Sequence, residues 1–124
     1  MNLKQCYDVL GGNYEEICGR IPGEAMIVSF LRKFLEDPTF HTLLTRIECG
    51  NRDEAFRAAH TLKGISANFS FTKLWKSVSA LTEELRSSDA ISDISAELMQ
   101  RVIGDYNLVT RTVCEYLNQE SDNN

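Results

Sequence analysis

An all-α chain is what this sequence predicts: an antiparallel, up-and-down four-helix bundle with short extra helical segments at its N-terminus. Three observations predict it. Apolar residues recur at three- and four-residue steps through most of the 124 positions, the period of a helix that buries one stripe. Strand signals are absent, with no alternating Val/Ile/Thr segment and no Asn-Gly turn between apolar runs. Only two prolines occur, Pro22 and Pro38, and both stand where helices begin. At 43% hydrophobic residues the chain can build one real core, and its length fits one domain and hardly two.

The elements follow in order. Leu3 to Leu10 is a short helix that Gly11-Gly12 ends, because glycine readily takes the left-handed conformation of a C-cap. Tyr14 to Cys18 forms another turn before Gly19. Residues 1–22 therefore read as a local decoration of a bundle that occupies 23–119. The first substantial helix spans Glu24 to Glu36, with Ile27, Phe30, Leu31, Phe34 and Leu35 on one face. Asp37-Pro38 interrupts or kinks it, since a residue before proline avoids the α region. The pattern resumes through Phe40, Leu43, Leu44 and Ile47 and stops near Gly50; one kinked helix or two both satisfy it.

Asn51 is a good N-cap, with Glu54 placed for a reciprocal capping contact. The helix it starts reaches Phe69, and Ser70 to Thr72 form a tight junction. Thr72 to Ser87 carries Leu74, Val78, Leu81 and Leu85 at helical steps. Ser88-Asp89 and Ser92-Asp93 mark a loop and a fresh N-terminus. A last helix runs from Ile94 to Leu117 on Leu98, Val102, Ile103, Tyr106, Val109, Val113 and Leu117, before a flexible polar tail, 120–124.

Several function classes are excluded early. A net charge of -5 opposes nucleic-acid binding, which needs a basic surface. No apolar leader follows Met1, and the longest apolar stretch, Ala25 to Leu31, is too short to span a bilayer, so no membrane role is expected. Four scattered cysteines without a C-x-x-C pair read as reduced thiols packed as small hydrophobes in a cytoplasmic protein, not as a disulfide framework or zinc site. A di-iron bundle needs Glu three residues before each histidine, whereas Pro38 precedes His41 and Arg57 precedes His60 at that distance. No metal or cofactor is expected on this chain. It lacks a Gly-rich phosphate loop, so no ATP site and no kinase activity of its own are expected. His41 reads as a surface residue, Trp75, Tyr106 and Tyr116 as core or rim packing, and Glu83, Glu84, Asp89 and Asp93 as solvated faces and caps.

His60 is the one strong candidate for chemistry. Taking about 100° of rotation per residue and setting His60 at zero, Ala55, Ala58, Leu62, Ile65 and Phe69 gather on the opposite side of the helix, with Ala59 and Ser66 at the edge. Asp53, Phe56, Lys63, Gly64 and Ala67 share the side of His60. The pattern thus turns an imidazole toward water. Neutral imidazole is a nucleophile near pH 7. Lys63, one turn on, can counter charge on a phosphoryl group. Gly64 and Ala67 leave a shallow floor, and the glycine costs up to roughly 1 kcal/mol of helix propensity. Phe56, one turn earlier, offers a partly exposed aromatic to a partner.

The segment Ala59 to Leu74, carrying His60-Thr61-Leu62-Lys63-Gly64, resembles the signature of histidine-containing phosphotransfer (HPt) domains, and the chain looks like a stand-alone, single-domain member. Leu81 followed by Glu83-Glu84 resembles the end of that family's next helix. One departure is that Ser70 stands where the family has glycine, ten residues beyond the histidine; serine is also small, but a glycine-only conformation comes into question. The resemblance implies a phosphorelay intermediate without enzyme activity of its own. His60 would accept a phosphoryl group through Nε2 from a receiver-domain aspartate and pass it to another, with Lys63 in support and Phe56, Gly64 and Ala67 docking the partner. The implied partners are response-regulator receiver domains, which bring Mg²⁺, and a hybrid histidine kinase. The chain is expected to be monomeric and its contacts transient, near or below roughly 1,200 Å². The alternative is a helical adaptor that binds and inhibits a receiver or kinase without being phosphorylated.

Overall fold

Helix α1 (Leu3–Leu10) opens a computed structural model that describes the backbone of residues 1–122 and the side chains of residues 1–119. It is followed by α2 (Tyr14–Arg20), α3 (Glu24–Leu35), α4 (Thr39–Glu48), α5 (Arg52–Asn68), α6 (Thr72–Ser87), a 3-10 turn (Ile91–Asp93) and α7 (Ala96–Asp122). No strand occurs among the described residues. The final helix continues through the first part of the expected tail, and residues 123–124 lie outside the described residues.

Local chemistry accounts for the boundaries. Asn2 and Gln5 form a reciprocal capping box, each side chain accepting the other's backbone N–H at 2.8 Å, and Gly11 closes α1 at φ 79°. Asn13 caps α2, which runs through Gly19 to Arg20 and so is longer than the expected turn. Ile21 stops it in extended conformation, as a residue before proline prefers. At the Asp37-Pro38 interruption the chain makes two helices; the Asp37 carboxylate accepts the Thr39 N–H at 2.8 Å as α4 begins. Ser95 starts α7 by accepting the Leu98 N–H at 3.1 Å, while its own N–H donates to Glu84 at 2.6 Å. The helix therefore begins two residues later than the apolar period suggests.

Packing runs around the bundle in chain order: α4 lies on α5, α5 on α6, α6 on α7, and α7 on α3, with α3 and α4 together making the fourth member. Residues Leu31, Leu43, Leu62, Leu74, Leu81, Val109 and Val113 are fully buried between them. An aromatic cluster ties the members at one level: Phe40 stacks on Tyr106 at 3.8 Å, and Phe34 meets Phe69, Phe71 and Tyr106 at 5.2–5.9 Å.

The N-terminal segment, expected as a decoration, is part of this core. α1 lies on α7 and buries Leu3, Cys6, Tyr7 and Leu10, and α2 adds Ile17. Fully burying such side chains is worth roughly 2 kcal/mol each, a large share of a typical domain's margin. Its apolar positions were legible, but a local period does not say which distant helix will cover them. The cysteines differ from expectation as well. Cys6 is buried, whereas Cys18, Cys49 and Cys114 are exposed. On α3, Ile27, Leu31 and Phe34 are buried, but Phe30 is 39% exposed. That helix carries more apolar residues than one stripe can bury, and Met26 and Phe30 form a second row in water.

Candidate functional site

The site is carried by α5, and the helix is held from both ends. At its start, Asn51 Oδ1 accepts the Glu54 N–H at 3.1 Å, and Asp53 and Glu54 lie in the first turn, where the helix dipole favours carboxylates. The Glu54 carboxylate is engaged by Arg57 at 2.9 Å, not by the expected reciprocal cap. Along the helix Ala55, Ala58, Ala59, Leu62 and Ser66 are buried, while Ile65 and Phe69 are half-buried. The buried arc is thus rotated from the expected one toward Ala59 and Ser66. Small residues there allow α6 to approach closely, and Ser66 satisfies its hydroxyl on the Leu62 carbonyl at 2.8 Å.

His60 is exposed, as the period predicts. Its ring lies 6.1 Å from that of Phe56 at an interplanar angle of 21°. Phe56 is half-buried, and the Arg86 guanidinium sits 5.3 Å above its ring, so its outward freedom is limited by a cation–π contact. Lys63 is half-buried one turn beyond the histidine, and Gly64 is exposed. A Cβ added at Gly64 would meet nothing within 4 Å, so no internal neighbour demands glycine there. The space is open outward. Ala67 is half-buried and lines an open cavity of about 260 Å³ with Ser66, Thr72 and Trp75. The structure therefore brings Phe56 directly beside His60, sets Lys63 and Gly64 on the next turn, and places Ala67 two turns away. His41 is exposed on α4, on another element.

The far end of α5 answers the question the sequence raised at Ser70, and shows partners from α1 and α2 that sequence reasoning missed. Ser70 has φ 57°, the left-handed conformation, and is the sole non-glycine residue with positive φ among the described residues. It makes the junction a Schellman motif: Phe71 N–H donates to Ser66 O at 2.9 Å and Ser70 N–H to Ala67 O at 3.1 Å. The N-terminal helices bring further donors to the carbonyls of this turn. Tyr7 Oη donates to Phe69 O at 2.9 Å, Asn13 N–H donates to Ser70 O at 2.9 Å, and Arg20 donates to Ala67 O and Asn68 O. Gly12 is needed for this approach, because a Cβ there would stand 2.8 Å from Ser70 O and 2.6 Å from the Tyr7 ring. Trp75, expected as core or rim packing, is 38% exposed at the rim of the Ala67 cavity. On the other flank Ile21, Met26, Phe30 and Phe69 line an open groove of about 470 Å³. The clue to that groove was in the sequence: Met26 and Phe30 are four apart and off the Ile27–Leu31–Phe34 line.

Among the described residues no group of three His, Cys, Asp or Glu could hold a metal ion, and no helix is long and apolar enough to cross a membrane.

The family model described as Hpt domain matches residues 29–119, most of the chain. The chain belongs to the Hpt domain family. No curated protein and no solved structure gives a significant match. Membership implies histidine phosphotransfer in phosphorelay signalling, by a carrier that interacts with receiver domains and histidine kinases. The all-helical bundle agrees with that family's fold. The Hpt match begins inside α3, so α1 and α2, which cap the end of α5, lie outside it.

Proposed function

We propose that His60 is the phosphoacceptor of a phosphorelay intermediate, which takes its phosphoryl group from a receiver-domain aspartate and hands it to a second receiver. The observation that carries this reading is an exposed imidazole on α5, followed one turn later by a lysine and an open glycine, in an Hpt domain. With its proton on Nδ1, the neutral ring attacks phosphorus through Nε2. The P–N bond forms as the P–O bond of the aspartyl phosphate breaks, and the electron pair leaves with the aspartate carboxylate. The ring proton stays on Nδ1, and the second transfer reverses these steps.

Such a transfer depends on positioning and charge neutralisation. Lys63 supplies positive charge near the phosphoryl group, Phe56 limits the ring on one side, and Gly64 and Ala67 admit the partner's backbone. The receiver brings Mg²⁺ and the remaining catalytic groups. Exposed Trp75 and Phe30 flank the floor and offer apolar rims to the docked domain. Three exposed thiols suit a reducing compartment such as the cytoplasm, and a monomer leaves the α5 face free.

Incubation with a phosphorylated receiver tests this reading. Wild type gains acid-labile, alkali-stable phosphate and the His60→Gln variant gains none, while its thermal midpoint stays within the change of about 0.5 kcal/mol expected for a surface substitution. Binding without label on either form would instead establish the non-phosphorylated adaptor.

A further inference from the structure

Ser70 occupies a left-handed backbone conformation that L-residues rarely adopt, and it does so buried, at 2% exposure, at the end of the histidine helix. What holds it there comes from α2. Ser70 Oγ donates to Glu16 Oε1 at 2.9 Å and accepts from the Arg20 guanidinium at 3.1 Å. The same guanidinium is paired with Glu16 at 3.0 Å and donates to the carbonyls of Ala67 and Asn68. Arg20 is also the wall shared by two concavities, one of about 260 Å³ beside Ala67 toward Trp75 and one of about 470 Å³ beside Asn68 and Phe69 toward Phe30.

We infer that Arg20, with Glu16, is a positioning residue for docking: it holds the last turn of α5 so that Ala67, Asn68 and both flanking concavities present one fixed surface to the receiver. Removing the guanidinium takes the side-chain donor from the Asn68 carbonyl, leaves the Ala67 carbonyl with the Ser70 N–H alone and the Ser70 hydroxyl with Glu16 alone, and the last turn frays from Ala67. His60 lies seven residues earlier, about 10 Å along the axis, inside the helix. The chemistry of the ring is therefore untouched while the surface that receives the partner is lost. This inference rests on His60 being the phosphoacceptor.

The test separates the two claims. Phosphoramidate, a small phosphoryl donor that needs no docking surface, labels the wild type and Arg20→Ala at rates within twofold. With a phosphorylated receiver domain that labels the wild type, Arg20→Ala raises KM about tenfold with little change in kcat. Arg20→Lys, which keeps the charge but not the fork, recovers part of the loss. Adding Ser70→Gly to Arg20→Ala recovers most of it, since glycine takes the left-handed conformation freely. Hydrogen exchange at the Ser70 and Phe71 amides speeds up in Arg20→Ala and slows again in the double variant. A KM within twofold of wild type, absence of rescue by Ser70→Gly, or unchanged exchange at those amides overturns the inference. Failure of phosphoramidate to label the wild type, or equal labelling of His60→Gln, overturns the phosphoacceptor assignment instead.

Discussion

The two halves of α5 are built on opposite plans. Around His60 the helix surface is left open: an exposed ring with Phe56 as an aromatic neighbour, and a glycine whose Cβ direction is empty. Around Asn68 every free carbonyl is taken, most of them by residues more than 45 positions away. The difference teaches how a small bundle can be both accessible and rigid. Under the proposed function, open space is kept around the ring a partner has to reach, and the fixing interactions are moved to the next two turns and to the buried back of the helix.

The largest effect expected is on the buried back. Leu62, 1% exposed, is two residues from His60 and faces the other way. Leu62→Asp puts an unpaired carboxylate into the core and costs more than about 3 kcal/mol, read as a collapse of the thermal midpoint. A midpoint equal to wild type would show that the facing of α5 is wrong. On the open half, Gly64→Gln keeps or slightly raises helicity but crowds the floor, slowing transfer between proteins about tenfold, about 1.4 kcal/mol of barrier. An unchanged rate in a stopped transfer assay would remove Gly64 from the docking floor. On the locked half, Ser70→Ala keeps the left-handed strain and loses the bonds to Glu16 and Arg20, at a cost of about 1–2 kcal/mol. Ser70→Gly loses the same bonds but sheds the strain, so it is about 1 kcal/mol more stable than the alanine variant in urea melts.

The smallest effect lies beneath the lock. Burial, followed by the nearby Glu115, raises the Cys6 thiol from 9.0 to about 11. The sign follows from linkage: the folded state keeps its proton after the unfolded thiol has begun to lose its own, so this contribution is complete below about pH 9. It is lost as the pH climbs through about 11. At pH 8 an alkylating reagent modifies exposed Cys18, Cys49 and Cys114 quickly and Cys6 only on unfolding. Rapid modification of all four thiols in the folded protein would show that α1 does not seal the core.

Much of this was legible beforehand, and for a local reason. The boundaries of α1 follow from its caps, and those of α6 from an unbroken apolar period. The outward facing of His60 follows from a rotation that needs only its neighbours in sequence. The same reasoning misplaced Phe30, because a helix with two apolar rows does not say which one the core will choose. It gave Trp75 core or rim packing without choosing between them, since nothing within one turn shows where α6 meets open space; the rim is where it lies. It also set residues 1–22 apart from the bundle.

By itself the sequence determined an all-helical chain, the order of its members and a histidine turned toward water, because helical period and capping act over a few residues. Only the tertiary structure decided that Ser70 would stand in for glycine and that Arg20 and Glu16 would hold it there. Those bonds join positions 50 or more apart. They exist because folding carries α2 to the end of α5, where carbonyls left without helical partners accept whatever donor the chain brings within reach.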